Sequence, residues 1–398
     1  MKKLIAISIV PSMLALAAVA GEVPPICGVL PDVLKAADGT RIATREQWER
    51  IRRPELLKLF QTREYGIRPV ERPADLAFTP LGEDRIMVDG RALRKRVTIS
   101  CTGPEGPFSF SATAFIPKAS APVGAFILIC NRNPDENIDP ERKVKSEFWP
   151  VEEIVARGYA AVSFWNGDVA RDDRVGCMTT GVFRAWCRAG ARTSQSWGAL
   201  SAWAWGASRV LDWLETIPQV DARHVAVVGH SRGGKTALLA GVTDQRFAMA
   251  CVNDSGCSGA KLNHVILPKS EPISRITKVF PHWFCLDYAA CSDRETELDF
   301  DQHEMVAMMA PRAVAIASAS KDLWAGPQGE FLSAVHASPV WELYGLKGLV
   351  AEDGFPAAGQ ACQKGRISYH LREGKHNLVL EDWQRYMDFA DRVFAEMR

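Results

Sequence analysis

From about residue 120 onward, short apolar runs alternate with stretches of helical spacing. Residues 123–130 read V-G-A-F-I-L-I-C, an apolar run that suits a strand buried on both faces. Similar runs predict strands at 159–164, 225–229, 247–252, 313–317 and 367–371. Helical spacing covers 148–157, 197–216 and 234–242, and a last helix is expected over 383–397. Strands alternating with helices imply a mainly parallel central sheet with helices on both faces, a three-layer αβα sandwich. Ahead of this region, 92–100 and 108–116 read as an antiparallel start to the sheet. The segment 22–80 is rich in Pro and Arg with one helix-like piece at 46–60. It reads as a wrap, extending to about residue 90, around a single catalytic domain spanning 21–398. Two long excursions between strands, 254–310 and 320–365, are expected to build a pocket or lid at the strand ends.

The first twenty residues stand apart from this rhythm. Lys2 and Lys3 precede an apolar stretch, 4–20, interrupted by Ser8, Pro11 and Ser12. It ends in Ala18-Val19-Ala20 before Gly21, as a cleavable signal peptide does. A secreted or periplasmic protein is expected; an N-terminal membrane anchor is the alternative. No later run approaches 18 consecutive apolar residues, so no other membrane span is expected. All ten cysteines follow this segment. They form no C-x-x-C pair and no zinc-ribbon spacing. Cys251 with Cys257, Cys285 with Cys291, and Cys177 with Cys187 are near pairs whose connectivity the spacing leaves open. Cys130 and Cys251 end apolar runs and read as buried thiols.

Charge narrows the class of function. With 48 Lys+Arg against 47 Asp+Glu, the chain lacks the basic surplus of a dedicated nucleic-acid binder. A hydrophobic fraction of 47% with 24% charged residues excludes a disordered chain. No metal site or cofactor is implied, and a monomer is expected.

The chemistry concentrates in Gly229-His230-Ser231-Arg232-Gly233-Gly234-Lys235-Thr236, between an expected strand and an expected helix. It satisfies G-x-S-x-G, the nucleophile elbow that exposes a serine at the top of a sheet. It also satisfies G-x-x-x-x-G-K-[ST], the phosphate-cradling P-loop, and 247–252 ending near Asp254 could pass as a Walker-B strand. Context favours the elbow. An α/β hydrolase supplies its partners in the order Ser, acid, His. Here Asp322 follows the strand 313–317, and His376 follows the last strand. A serine hydroxyl needs such a base, and the acid fixes the tautomer of that base. His230 is expected to pack beside Ser231. His224, His264, His303, His336 and His370 carry no motif.

Together these segments resemble the bacterial members of the glucuronoyl esterase family of carbohydrate esterases, within the α/β-hydrolase superfamily. The resemblance rests on the elbow and on Trp203-Ala204-Trp205-Gly206-Ala207-Ser208-Arg209, Asn253-Asp254-Ser255-Gly256 and Phe280-Pro281-His282-Trp283-Phe284-Cys285. It continues through 322–331 and Gly374-Lys375-His376-Asn377, so it runs from about Phe126 to the C-terminus. It implies an ester hydrolase acting on the link between (4-O-methyl-)glucuronic acid of glucuronoxylan and an alcohol of lignin. It implies Ser231 as nucleophile, His376 as base, and the side chain of Arg232 at the oxyanion beside its own backbone N–H. Lys235 and Trp324 resemble the family's sugar contacts; Glu330, His282 and Trp283 are further candidates for the same pocket. The acid is either Asp322, at the usual hydrolase position, or Asp254, where family members carry the longer Glu. Chain order favours Asp322, and both could serve the histidine. Gly326 departs from the Asp common at that place in the family.

Two other readings stand beside this one. The same fold could carry an acetyl-xylan or feruloyl-type esterase. A carbohydrate-binding protein with a vestigial triad is the reading from another class.

Overall fold

The computed structural model describes residues 23–188 and 192–397. The signal-like segment 1–20 lies outside the described residues. Among the described residues one sheet takes eleven strands: β1 (Ala77–Pro80), β2 (Arg85–Met87), β3 (Ala92–Gly103), β4 (Gly106–Pro117), β5 (Val123–Cys130), β6 (Ala160–Trp165), β7 (Val220–His230), β8 (Met249–Asn253), β9 (Ala313–Ala319), β10 (Gln360–Cys362) and β11 (Ile367–Arg372). Their order is β1-β3-β4-β6-β5-β7-β8-β9-β11-β10, with β2 on β3. The centre, from β6 through β11, is parallel. Antiparallel strands flank it on both sides.

Strand β5 shows why the centre is buried on both faces. Ala125, Ile127 and Ile129 join one apolar core, while Phe126, Leu128 and Cys130 join the other. Each large side chain fully withdrawn from water contributes about 1.5–3 kcal/mol. One core is covered by α3 (Ala199–Leu214) and α4 (Arg232–Thr243); the other by α2 (Val151–Ala156) and α7 (Leu380–Glu396). Every residue of α3 is buried, which explains why its sequence is mostly apolar; its two charged residues, Arg209 and Asp212, pair with each other at 2.6 Å. Its tryptophans still place their polar atoms: Trp203 Nε1 donates to the Ala170 carbonyl at 2.8 Å and Trp205 Nε1 to that of Glu71 at 2.7 Å. All ten cysteines are unpaired thiols, and Cys130 and Cys251 are buried.

The N-terminal segment is fastened to the core by charge as well as apolar contact. The helix-like piece at 46–60 is part of a longer helical run from Arg45 to Tyr65, with α1 (Arg53–Phe60) between two π-type turns. Arg52 meets Glu304 at 2.5 Å, and Arg53 donates to the Val242 carbonyl at 2.7 Å. The run stops at Gly66, where φ is +85° and a Cβ would lie 2.4 Å from the Trp197 backbone. Strands β1, β2 and β10 are additions to the sequence expectation. They are short edge strands whose pairing, more than their own composition, makes them strands.

The long excursions hold α5 (Gln302–Ala307) and α6 (Pro327–Ala337). Asp301 ties the first excursion together, accepting from the N–H groups of Asn263 and His264 at 2.8 and 2.9 Å. The ends of β7, β8, β9 and β11 therefore open onto one rim, and each is followed by a candidate catalytic residue.

Candidate active site

Strand β7 ends at His230, and α4 begins at Arg232. Ser231 makes the turn alone, at φ 58° and ψ −122°. Such a conformation costs a non-glycine residue roughly 1–3 kcal/mol and persists only where its surroundings enforce it. They do so here. A Cβ at Gly229 would lie 1.9 Å from the Gly233 carbonyl oxygen, so only glycine lets the strand and helix approach this closely. The Ser231 N–H donates to Asn253 O at 2.9 Å. The result is a tight elbow with a partly exposed serine at its tip.

The octapeptide's other pattern is not used. Lys235 turns inward, its ammonium donating to the carbonyls of Ser255 and Cys257. Thr236 Oγ1 donates to Arg232 O at 2.8 Å. Neither side chain is presented to a phosphate cradle.

His376 lies on the loop after β11, and its ring stands 4.3 Å, centre to centre, from the ring of His230. That contact brings it to the elbow. Its Nδ1 is 2.5 Å from Asp322 Oδ2. Asp322 is buried while the His376 side chain is 43% exposed, so the acid is shielded and the base is reachable. Asp254 is the second carboxylate at this corner; single donor atoms of Asp254, Asp322 and His376 all lie within 4.8 Å of one another. Three such donors could hold a cation, yet they are largely spent on internal partners. Asp254 accepts from Ala319 N–H at 2.7 Å and from Asn377 N–H at 3.2 Å. Burial, reinforced by the charges of Glu330, Asp322 and Asp382, pushes the Asp254 carboxyl well above the usual range. Its charged form is disfavoured at this position.

Arg232 is held as firmly. Its Nη1 donates to Asp172 Oδ2 at 2.5 Å. The guanidinium carbon lies 4.9 Å from the Trp283 ring centre and 5.5 Å from that of Phe280. Those two rings are stacked at 3.9 Å. The other Asp172 oxygen is met by His282 Nε2 at 3.0 Å and Trp283 Nε1 at 2.7 Å. Burial alone would raise the Asp172 carboxyl, but His282, the Arg232 charge and Trp283 outweigh it and keep it below the usual range.

The remaining pocket candidates divide. Trp324 is 48% exposed, as an aromatic platform must be. Glu330 has no exposed surface. One of its oxygens accepts from Ser255 N–H, Ser255 Oγ and Gly256 N–H at 2.6–2.9 Å, and the other from Ser318 Oγ at 2.6 Å. In the structure Glu330 staples the turn after β8 to β9. His282 and Trp283 are also buried and serve Asp172 and Arg232 rather than an open surface. Asp172 itself carries no motif and was invisible to the sequence reading; only the fold brings it to Arg232. A polar groove of about 650 Å³ beside Arg184 and Cys101 contains none of these residues.

The geometry can be set against known proteins. The family model described as "Glucuronyl esterase, fungi" matches residues 99–345, well over half of the chain. The chain belongs to the glucuronoyl esterase family. It is 35% identical to carbohydrate esterase MZ0003 from an unknown prokaryotic organism, covering 91% of this chain and 89% of that protein. It is 27% identical to the 4-O-methyl-glucuronoyl methylesterase of Cerrena unicolor, covering 87% of this chain and 68% of the other. The solved glucuronoyl esterase from Solibacter usitatus superposes with a TM-score of 0.84 at 34% identity, over 94% of this chain and 99% of that one. The glucuronoyl esterase family has the α/β-hydrolase fold, and the mixed, mostly parallel sheet flanked by helices is that fold here.

Proposed function

We propose that this glucuronoyl esterase family member hydrolyses the ester between (4-O-methyl-)glucuronic acid of glucuronoxylan and a lignin alcohol through an acyl-serine intermediate. The observation that carries the reading is the Asp322–His376 pair set beside a strained Ser231 elbow whose next residue is a fixed arginine. Asp322 on Nδ1 leaves Nε2 of His376 as the proton acceptor. Ser231 Oγ attacks the ester carbon while its proton passes to that nitrogen. The charge developing on the carbonyl oxygen is met by the Arg232 backbone N–H and guanidinium, donors already in place before reaction. His376 returns the proton to the departing alcohol. Water, deprotonated by the same nitrogen, then attacks the glucuronoyl-Ser231 ester and releases the acid.

The sugar contacts belong to the same reading. Two of the three N–H donors of the Lys235 ammonium are taken by carbonyls, leaving one for a sugar hydroxyl. Trp324 offers an exposed ring to the apolar face of a pyranose. Asp254 holds the histidine loop through Asn377 and is assigned a supporting part. We further propose one catalytic domain over 21–398, acting as a monomer, exported by the signal-like segment at 1–20. No helix of the described residues is long and apolar enough to cross a membrane.

The test is hydrolysis of benzyl glucuronate by the full-length protein, beside an acetyl ester of xylose and beside Ser231→Ala. The expected result is cleavage of the glucuronate at least about 100-fold faster than the acetate, lost in Ser231→Ala. Activity confined to the acetate would keep the triad and overturn the substrate assignment in favour of an acetyl-xylan esterase.

A further inference from the structure

We propose that Asp172 is a positioning residue for the reaction: it clamps the Arg232 guanidinium against the stacked rings of Trp283 and Phe280, so that the arginine's remaining donors are fixed at the oxyanion. The inference rests on the role assigned to Arg232 above. An arginine side chain is rich in rotamers and loses that freedom when it is held. A freely moving one would have to be ordered in each turnover, whereas donors fixed beforehand cost no reorganisation as charge develops. Here the order is built in. One fork nitrogen is held by Asp172, and the planar group lies over two rings. The clamp takes one N–H of Nη1 out of the five that a guanidinium carries, so donor capacity remains beyond it.

Asp172 can act as a clamp because it is itself held. It sits in the segment following Ala170, whose own carbonyl is fixed by Trp203 Nε1. Its second oxygen takes two donors, one from a histidine and one from a tryptophan. Trp283 thus appears twice, as a donor to the carboxylate and as a surface under the cation. The carboxylate side chain is 19% exposed and that of Arg232 31%, so the pair borders solvent at the rim where a substrate arrives. A surface ion pair kept only for stability contributes little and would not need three elements of the fold to organise it.

The test is a double-mutant cycle on the full chain: wild type, Asp172→Asn, Arg232→Met and the double variant, with kcat and KM read separately for benzyl glucuronate and for 4-nitrophenyl acetate. The expected result is a fall of about 10–100-fold in kcat for Asp172→Asn with KM within about threefold. In the Arg232→Met background the same change is expected to cost less than about twofold, because the group it positions is gone. Asp172→Glu, which keeps the charge at a shifted distance, should fall between wild type and Asp172→Asn. Equal losses in both backgrounds, or a kcat for Asp172→Asn within about twofold of wild type, overturn the proposal. Thermal melts of all variants identify any that fail to fold, and Asp172→Glu then decides in the same two backgrounds. If wild type cleaves only the acetate, the substrate reading fails while the acetate cycle still judges Asp172. If it cleaves neither ester, both fail.

Discussion

Two carboxylates lie close to His376, and their surroundings give them different work. Asp322 places an oxygen 2.5 Å from the imidazole Nδ1, and its other oxygen accepts from Ala325 N–H at 3.3 Å. Asp254 has both oxygens on backbone N–H groups, and burial raises its proton affinity. A group pushed toward its neutral form is a weak partner for an imidazolium. Asp322→Asn is therefore expected to lower kcat by about 10³-fold or more, since an amide can stabilise the wrong tautomer. Asp254→Asn should cost less than about tenfold in kcat but about 1–2 kcal/mol in stability, because its NH₂ would face a backbone N–H. Kinetics and thermal melts of the two variants decide between them. The reverse ranking of kcat would move the triad acid to Asp254. The preference for Asp322 was legible in chain order alone; the reason for it, the occupied oxygens of Asp254, was not.

At the scale of the element, the histidine loop is the piece that must not move. Arg372, the last residue of β11, sends Nη2 to the carbonyls of Lys375 and Asn377 at 3.0 and 2.8 Å, Nη1 to Glu373 O at 3.1 Å, and Nε to Asp382 at 3.1 Å. Arg132 adds a 2.7 Å bond to Asn377 Oδ1. One buried guanidinium thus shapes the turn that carries His376 and joins it to α7. Arg372→Met should lower stability by about 3–5 kcal/mol, since Asp382 is left buried with less compensation. At a temperature where it remains folded, kcat should drop by at least about tenfold with a smaller change in KM. Wild-type kcat in a folded Arg372→Met protein would show that the loop is set by other contacts. The strands that carry this corner were readable from apolar runs, because β5, β6, β8, β9 and β11 are buried on both faces and look it. The supporting charges were not readable. Arg372, Arg132 and Asp172 lie outside any motif, and the partners of Arg132 and Asp172 come from distant parts of the chain. Glu330, His282 and Trp283 are pocket candidates only through the family resemblance. Their hydrogen bonds show that they face inward.

Across the whole molecule, the fold converts four strand ends into one reactive corner. The parallel order β7-β8-β9-β11 places Ser231, Asp254, Asp322 and His376 on successive or neighbouring strand ends, where ligands of open α/β sheets bind. The helical run ending at Gly66 and the buried excursions brace that corner through Arg52–Glu304 and Asp301. Function at the rim is thus backed by charge pairs in the interior. The proposed reaction turns on one atom, Ser231 Oγ, as nucleophile of an ester-cleaving triad. The most direct measurement is titration of the full-length protein with a fluorophosphonate, followed by peptide mass analysis and assay of benzyl glucuronate hydrolysis on the same samples. The account predicts one label per chain, on the peptide containing Ser231, with hydrolysis lost in proportion to labelling. Full hydrolysis by a chain labelled at Ser231, or loss of hydrolysis that follows a label elsewhere, would contradict it.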